Sequence, residues 1–219
     1  NENGSSIVGG FKNTASAACT FIGGGSRNQV TAANSSVVGG ILNTASGTCS
    51  FIGGGCNNKV TTDLASIIGG GLNNIIEGSG LAFLGGGQSN TISGYYNNVI
   101  VGGEGNKNSG LNSFIGSGQC NTNSGYYSSI VGGFKNTASL NYTFIGGGSR
   151  NIACGGNSSV VGGTLNTASA ACSFTTHVNN LTVSGSAAGT SVVMMRGLPI
   201  IDPNVLGQLW MDPAASYIL

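Results

Sequence analysis

Few residues in this chain can do covalent or metal chemistry. It carries six cysteines (Cys19, Cys49, Cys56, Cys120, Cys154 and Cys172), one histidine (His177) and six carboxylates (Glu2, Asp63, Glu77, Glu104, Asp202 and Asp212). An even cysteine count in a small secreted chain suggests a disulfide framework, and Cys/His clusters suggest zinc. There is no C-x-x-C spacing, however, and a lone histidine is a thin supply of metal ligands or of a base for serine. Asp202 and Asp212 both precede proline, a turn arrangement. The glycine strings precede no helical pattern, so they lack the setting of a phosphate cradle. No catalytic, cofactor or metal site is expected. Binding is the remaining chemistry. Tyr95-Tyr96 and Tyr126-Tyr127 offer flat apolar faces with polar rims, suited to stacking on a glycan or packing on a partner. The plainer reading is that they cover an edge with their hydroxyls in water.

The composition says what must hold such residues. Glycine fills 41 of 219 positions, while charged residues make up 6% against about 25% in an average protein. Collagen is excluded by 3 prolines and no three-residue glycine period, and charge-driven disorder by the scarcity of charge. A net charge of +1 gives no nucleic-acid footprint. Apolar runs stay near four residues, as at Val192 to Met195, so no membrane insertion is expected and the chain reads as soluble. It starts at Asn1, consistent with processing or with numbering inside a longer polypeptide.

An internal repeat explains the composition. Apolar pairs followed by glycine recur from Ile7-Val8, Phe21-Ile22, Val37-Val38 and Phe51-Ile52 onward to Phe174-Thr175, with steps of 14 to 17 residues and a frequent alternation of 14 with 16. A higher duplication returns Ile7 to Ser16 identically at Ile130 to Ser139, displaced by 123. Such a step is too short for a strand plus a helix. It fits one turn of a β-solenoid with two strands of four or five residues and tight corners. The predicted fold is all-β, a parallel β-solenoid (β-roll) of about twelve 14–17-residue coils over residues 1–175, on the order of 55 Å long. Glycine is expected where corners demand positive φ. Asn13, Asn28, Asn43, Asn58, Asn90, Asn106, Asn121, Asn136, Asn151 and Asn166, six or seven residues after the pairs, are expected to stack along the axis.

Adjacent strand residues point to opposite faces, so an apolar pair makes both faces apolar. With Phe21 or Phe51 filling the interior against Ala15 or Ala45, Ile22 and Ile52, and likewise Ile115 and Ile145, would form an outward stripe. Such a stripe exceeds what a soluble monomer usually exposes, and burial against two other copies, a homotrimer, would cover it. The alternative is a wider coil that packs both members inside.

The coil grammar, as in Ser50 to Gly55 (S-F-I-G-G-G) and Asn43 to Gly47 (N-T-A-S-G), resembles the head repeats of trimeric autotransporter adhesins and the solenoid segments of phage and large-virus fibres. The resemblance covers roughly residues 5 to 175. It implies a parallel β-roll, commonly trimeric, that attaches to or projects from a surface. Gly197-Leu198-Pro199 through Asp202-Pro203 to Gly207-Gln208-Leu209-Trp210 is similar to a segment frequent near the ends of phage tail and fibre proteins. With no coiled-coil stalk or anchor pattern, the combination points to a non-enzymatic virion fibre or spike, with a bacterial adhesin head at the cell surface as the alternative. Residues 176–219 would cap the roll and attach it to other virion proteins, with Trp210 as an anchor. A receptor glycan is a further expected partner.

Placed on the repeat, Cys19 and Cys49 are two coils apart, about 9.5 Å, too far to bridge. They read as small buried fillers at a site also holding Asn112 and Tyr142. Lys12, Arg27, Lys135 and Arg150 read as solubilising gatekeepers. A third functional class is an ice-binding solenoid, since Thr14, Thr44, Thr137 and Thr167 recur. Val30, Val60 and Ile152 are expected to break that file.

Overall fold

The computed structural model describes residues 4–78 and 80–175. Residues 176–219, with the expected cap and Trp210, lie outside the described residues. Within them the chain is an all-β parallel solenoid without a helix. Sheet 1 stacks twelve strands from Ser6–Ile7 to Phe174–Thr175, and sheet 2 stacks eleven from Thr14–Ala15 to Thr167–Ala168. Each strand is two residues long rather than the expected four or five. A coil of this length must spend most of its residues on corners.

The strand register corrects the coil phase. In sheet 1, Ile7 pairs with Ile22, Ile22 with Val37 and Val37 with Ile52, steps of 15; Ile52 to Ile68, Ile68 to Leu84 and Leu84 to Ile100 are steps of 16, and later steps return to 15. The apparent alternation of 14 and 16 arises because the second apolar residue precedes the inward one in some coils (Phe21 before Ile22) and follows it in others (Val38 after Val37).

The facing of the pairs is also corrected. Ile22, Ile52, Ile115 and Ile145 are fully buried inside the single chain, so they cannot contact another copy, whereas Phe21 and Phe51 are 39% exposed. The interior is one residue deep from each sheet: Ile22, Val37 and Ile52 from one side, Ala15, Val30 and Ala45 from the other. Ordered branched aliphatics fill that narrow space without strain. The ring has a place outside instead. Phe21 lies back over Gly23, where a Cβ would sit 3.4 Å from the ring. Burial of a side chain such as Ile22 contributes about 2 kcal/mol per coil.

Corners use less glycine than the composition suggests. Gly25 has φ +83, and a Cβ there would meet the carbonyl oxygen of Gly40 at 2.1 Å, so no other residue fits. In most coils two further left-handed positions carry side chains: Arg27 (φ 56) and Leu42 (φ 59) in one file, where Gly105 (φ 63) is an exception, and Cys19 (φ 54), Asn34 (φ 57) and Cys49 (φ 58) in the other. Cys19, Cys49, Cys120 and Cys172 therefore sit on exposed turns as free thiols, not as buried fillers.

The asparagine file forms the continuous ladder expected, and it includes Asn74. The backbone N–H of Asn43 donates to Asn28 Oδ1 at 3.0 Å, and that of Asn58 to Asn43 Oδ1 at 3.0 Å. Most Nδ2 groups donate to a glycine carbonyl of their own coil and to one of the next; for Asn28 these are Gly24 at 3.0 Å and Gly40 at 2.9 Å, while Asn121 uses Ser117 O (3.2 Å) in place of the first glycine. The pattern continues unbroken through the 16-residue coils, as in Asn90 N–H to Asn74 Oδ1 at 3.0 Å. Each amide thus satisfies backbone groups that the tight corner would otherwise leave unpaired in the interior.

Candidate functional site

The corner returning the chain from sheet 2 to sheet 1 departs most from regularity. In most coils three residues link the outward hydroxyl after sheet 2 to the buried Ser or Thr before sheet 1, as Ala17 to Cys19 lie between Ser16 and Thr20. Three consecutive coils have four, at 62–65, 78–81 and 94–97. These bulges border a groove of about 360 Å³.

Thr61, Thr62, Asp63 and Leu64 line the groove from one coil, Gly78 and Gly80 from the next, and Tyr95 and Tyr96 from the third. Among the described residues, the middle coil contributes no side chain larger than hydrogen to the lining. A Cβ at Gly80 would lie 2.9 Å from both Leu64 Cδ1 and Tyr96 Cε1, so the glycine lets these two side chains close over it. Asp63 is anchored at one oxygen: Oδ1 accepts from the Thr48 hydroxyl at 3.1 Å and from the Thr48 backbone N–H at 3.4 Å. Thr62 is buried, its hydroxyl 3.0 Å from that of Ser66.

The aromatic file continues along the same corner. Tyr95 meets Tyr126 edge-on at 6.2 Å between centroids, and Tyr127 stacks on Tyr142 at 5.3 Å with an interplanar angle of 6°. All four tyrosines picked out from the sequence therefore share one edge. Only Tyr95 and Tyr96 belong to a longer coil; Tyr126 and Tyr127 lie in a 15-residue one. Sequence reasoning missed Tyr142 as part of this edge, although it stands one coil beyond Tyr127 in the same file. It also missed Asp63, Thr61, Thr62 and Leu64, whose signal was the run of three 16-residue steps.

Buried amides hold this edge in place. Asn98 Nδ2 donates to the carbonyls of Tyr95 (2.9 Å) and Gly110 (3.0 Å), and its Oδ1 accepts from the Ser113 hydroxyl at 2.7 Å. Asn108 and Asn123 replace the usual inward alanine or aliphatic of sheet 2 in the coils behind Leu111 and Tyr126. Their Nδ2 groups donate to Ser113 O (3.1 Å) and Ser128 O (3.0 Å). Such satisfied buried networks fix a surface in one arrangement.

Two other faces are regular. Sheet 1 turns outward Phe21, Phe51, Phe83 and Phe144, interleaved with Val38, Val101, Val131 and Val161, all at least about two-fifths exposed. Sheet 2 turns outward a file of Thr14, Gln29, Thr44, Lys59, Ile75, Thr91, Lys107, Thr122, Thr137, Ile152 and Thr167. Val30 and Val60 are buried inside it and break nothing; the interruptions are Gln29, Lys59, Ile75, Lys107 and Ile152. Lys12 and Lys135 place their ammonium groups 5.1 Å above the rings of Phe11 and Phe134, and Arg150 lies 5.6 Å from Phe134, so these cations cover apolar rings. Among the described residues, no three His, Cys, Asp or Glu side chains converge as metal ligands would, and no helix is long and apolar enough to cross a membrane. No protein-family model matches the chain, and no curated protein does.

Proposed function

We propose that this is a non-enzymatic structural protein, a virion fibre or spike, that assembles through the outer face of sheet 1 and uses the tyrosine edge to contact surface saccharides. The observation that carries the reading is the phenylalanine–valine face. Phe51 is 39% and Val38 47% exposed, and the apolar file extends from Val8 to Phe174. An uncovered apolar strip of that extent is a liability for an isolated chain and an asset for an assembled one. Three copies, each presenting this face to the axis, would bury it; the interface residues are then Phe51 and its neighbours, in place of the inward isoleucines. The fibre-like segment Gly197 to Trp210 supports attachment to other virion proteins. A bacterial surface adhesin head shares the repeat grammar and would use the same two surfaces.

Sedimentation equilibrium of the full chain tests the assembly. The expected species is a trimer, and replacing Phe51, Phe83 and Phe144 by Ser should yield monomers with an unchanged β-sheet circular dichroism spectrum. Serine already holds that outward position at Ser36, Ser129 and Ser159, so the coil accepts it. A stable monomer of the unaltered chain at micromolar concentration removes the assembly role. Deleting residues 197–219 should abolish incorporation into particles. The ice-binding reading ranks below this one because Lys59 and Lys107 project from the threonine file; a thermal-hysteresis assay should find no activity.

A further inference from the structure

We propose that the groove over the three long coils is a binding subsite for an uncharged pyranose unit and discriminates against acidic sugars. The inference rests on the saccharide-contact role given to the tyrosine edge and specifies where the ring sits and what it cannot carry. At about 360 Å³ the groove is at the small end of the range of ligand sites, about 300 to 1,000 Å³. It is a built feature: one extra residue in each of three successive coils, a glycine whose Cβ would obstruct Leu64 and Tyr96, and a buried Asn98 that clamps the Tyr95 carbonyl at 2.9 Å.

The lining matches the two kinds of surface on a sugar ring. Tyr95 and Tyr96, 60% and 51% exposed, offer aromatic faces to the C–H face of a pyranose. Asp63 offers a carboxylate to its hydroxyls. One of its oxygens is held by Thr48, which fixes the group, and the other accepts from none of the described residues. A carboxylate is an acceptor only, so it takes hydrogen bonds from sugar hydroxyls and repels a sugar carboxylate or sulfate. Glu77, outward on the middle coil beside the groove's Gly78, adds charge of the same sign. Among the described residues neither carboxylate is within an ion pair; Lys59, two residues before Thr61, points outward from sheet 2. The selectivity is therefore electrostatic, and the stacking supplies the affinity.

Saturation-transfer NMR on the full chain provides the test, with methyl β-galactoside, methyl β-glucoside and methyl N-acetyl-β-glucosaminide as neutral probes and N-acetylneuraminic acid and glucuronic acid as acidic ones. At least one neutral probe should receive saturation from aromatic protons, with little transfer to the acidic probes. Gly80→Val should abolish the signal by filling the groove. Tyr96→Asn, a residue the same file carries at Asn141, should weaken binding about tenfold without altering the fold. Asp63→Asn should raise transfer to the acidic probes. Neutral-sugar binding that survives both Gly80→Val and Tyr96→Asn at full strength would overturn the groove as the site. Acidic probes binding the unaltered chain as well as neutral ones would overturn the selectivity while leaving the saccharide-contact role standing. No transfer to any probe would overturn that role as well, whereas the assembly role is decided separately by sedimentation.

Discussion

Each coil turns two very different corners on similar left-handed backbone. At the asparagine corner, Asn90 accepts the N–H of Asn106 from the next coil, donates to Gly86 and Gly103, and donates its own N–H to Asn74. That one residue is tied to the coils on both sides. At the return corner the buried hydroxyl often closes on its own turn, as Thr20 does on Ala17 O (3.0 Å) and Thr143 on Leu140 O (2.8 Å). A residue added to the first corner would misplace bonds to both neighbours, whereas one added to the second can bulge outward. All three long coils carry their extra residue at the return corner, and the five described tyrosines are there too. Regularity along a solenoid is thus enforced on one side and relaxed on the other, and the relaxed side is where a binding feature can arise without loss of stacking.

The most severe way to break this contrast is to insert one glycine at each corner in turn. Between Gly87 and Gln88 the insertion should displace the Asn90 rung and the Gln88 N–H bond to Gly103 O (2.9 Å), splitting the stack. Hydrogen exchange should then show coils on both sides losing protection. Between Gly110 and Leu111, the same insertion should cost much less, with exchange raised only around the return corner. Equal damage at both sites would erase the distinction. Next in size is Asn90→Ala. It leaves the Asn106 N–H and the Gly86 and Gly103 carbonyls without this partner, at about 1 to 3 kcal/mol for each buried group that water cannot reach. A loss on the order of 4 kcal/mol should appear in urea denaturation, with the fastest exchange at Asn106.

The asparagine ladder and the glycine of its corner were legible because they depend on a local periodic pattern, and periodicity survives small errors of phase. Which member of each apolar pair faces inward was not, since both members are apolar and alternation alone cannot choose. The distinguishing signal was one position further on: Phe21, Phe51, Phe83, Phe114 and Phe144 each have glycine two residues later, which gives the outward ring a place to lie. Valine takes that later position in coils such as Val37-Val38, where the first outward residue is Ser36. Counting from the first apolar residue mixed the two coil types and hid the true run of 16-residue steps. The tyrosine pairs were visible as binding chemistry, but the groove depended on that run. The inward Asn108 and Asn123 broke the Thr-Ala pattern openly, yet their role requires knowing that the strand's second residue points inside.

A smaller effect tests the backbone shared by both corners. No β-branched residue occupies any of the left-handed non-glycine positions among the described residues, although the chain is rich in valine and threonine. Cys49 (φ 58) is one such position on the return corner. Cys49→Val should destabilise the chain by about 1 to 2 kcal/mol, and Cys49→Gly should match or exceed the original stability. A melting temperature unchanged by valine would mean that this turn readily abandons its left-handed form.

The smallest effect has the opposite sign and sharpens what the return corner requires. Ser50 is buried with a side-chain oxygen that has no hydrogen-bond partner among the described residues, while its backbone N–H donates to Ser35 Oγ at 3.0 Å. Ser35 itself donates to Gly47 O at 2.8 Å, so its hydroxyl already serves two groups of the next coil. Alanine fills the equivalent position at Ala82, also buried. Ser50→Ala should therefore keep every bond of the corner and remove an unsatisfied hydroxyl, raising stability by about 0.5 kcal/mol. Thr143→Ala, which removes the donor to Leu140 O, should instead lower it by about 1 kcal/mol. If thermal melting showed both substitutions equally destabilising, the hydroxyl file would be acting as a cooperative ladder like the asparagines, and the two corners would differ in degree only.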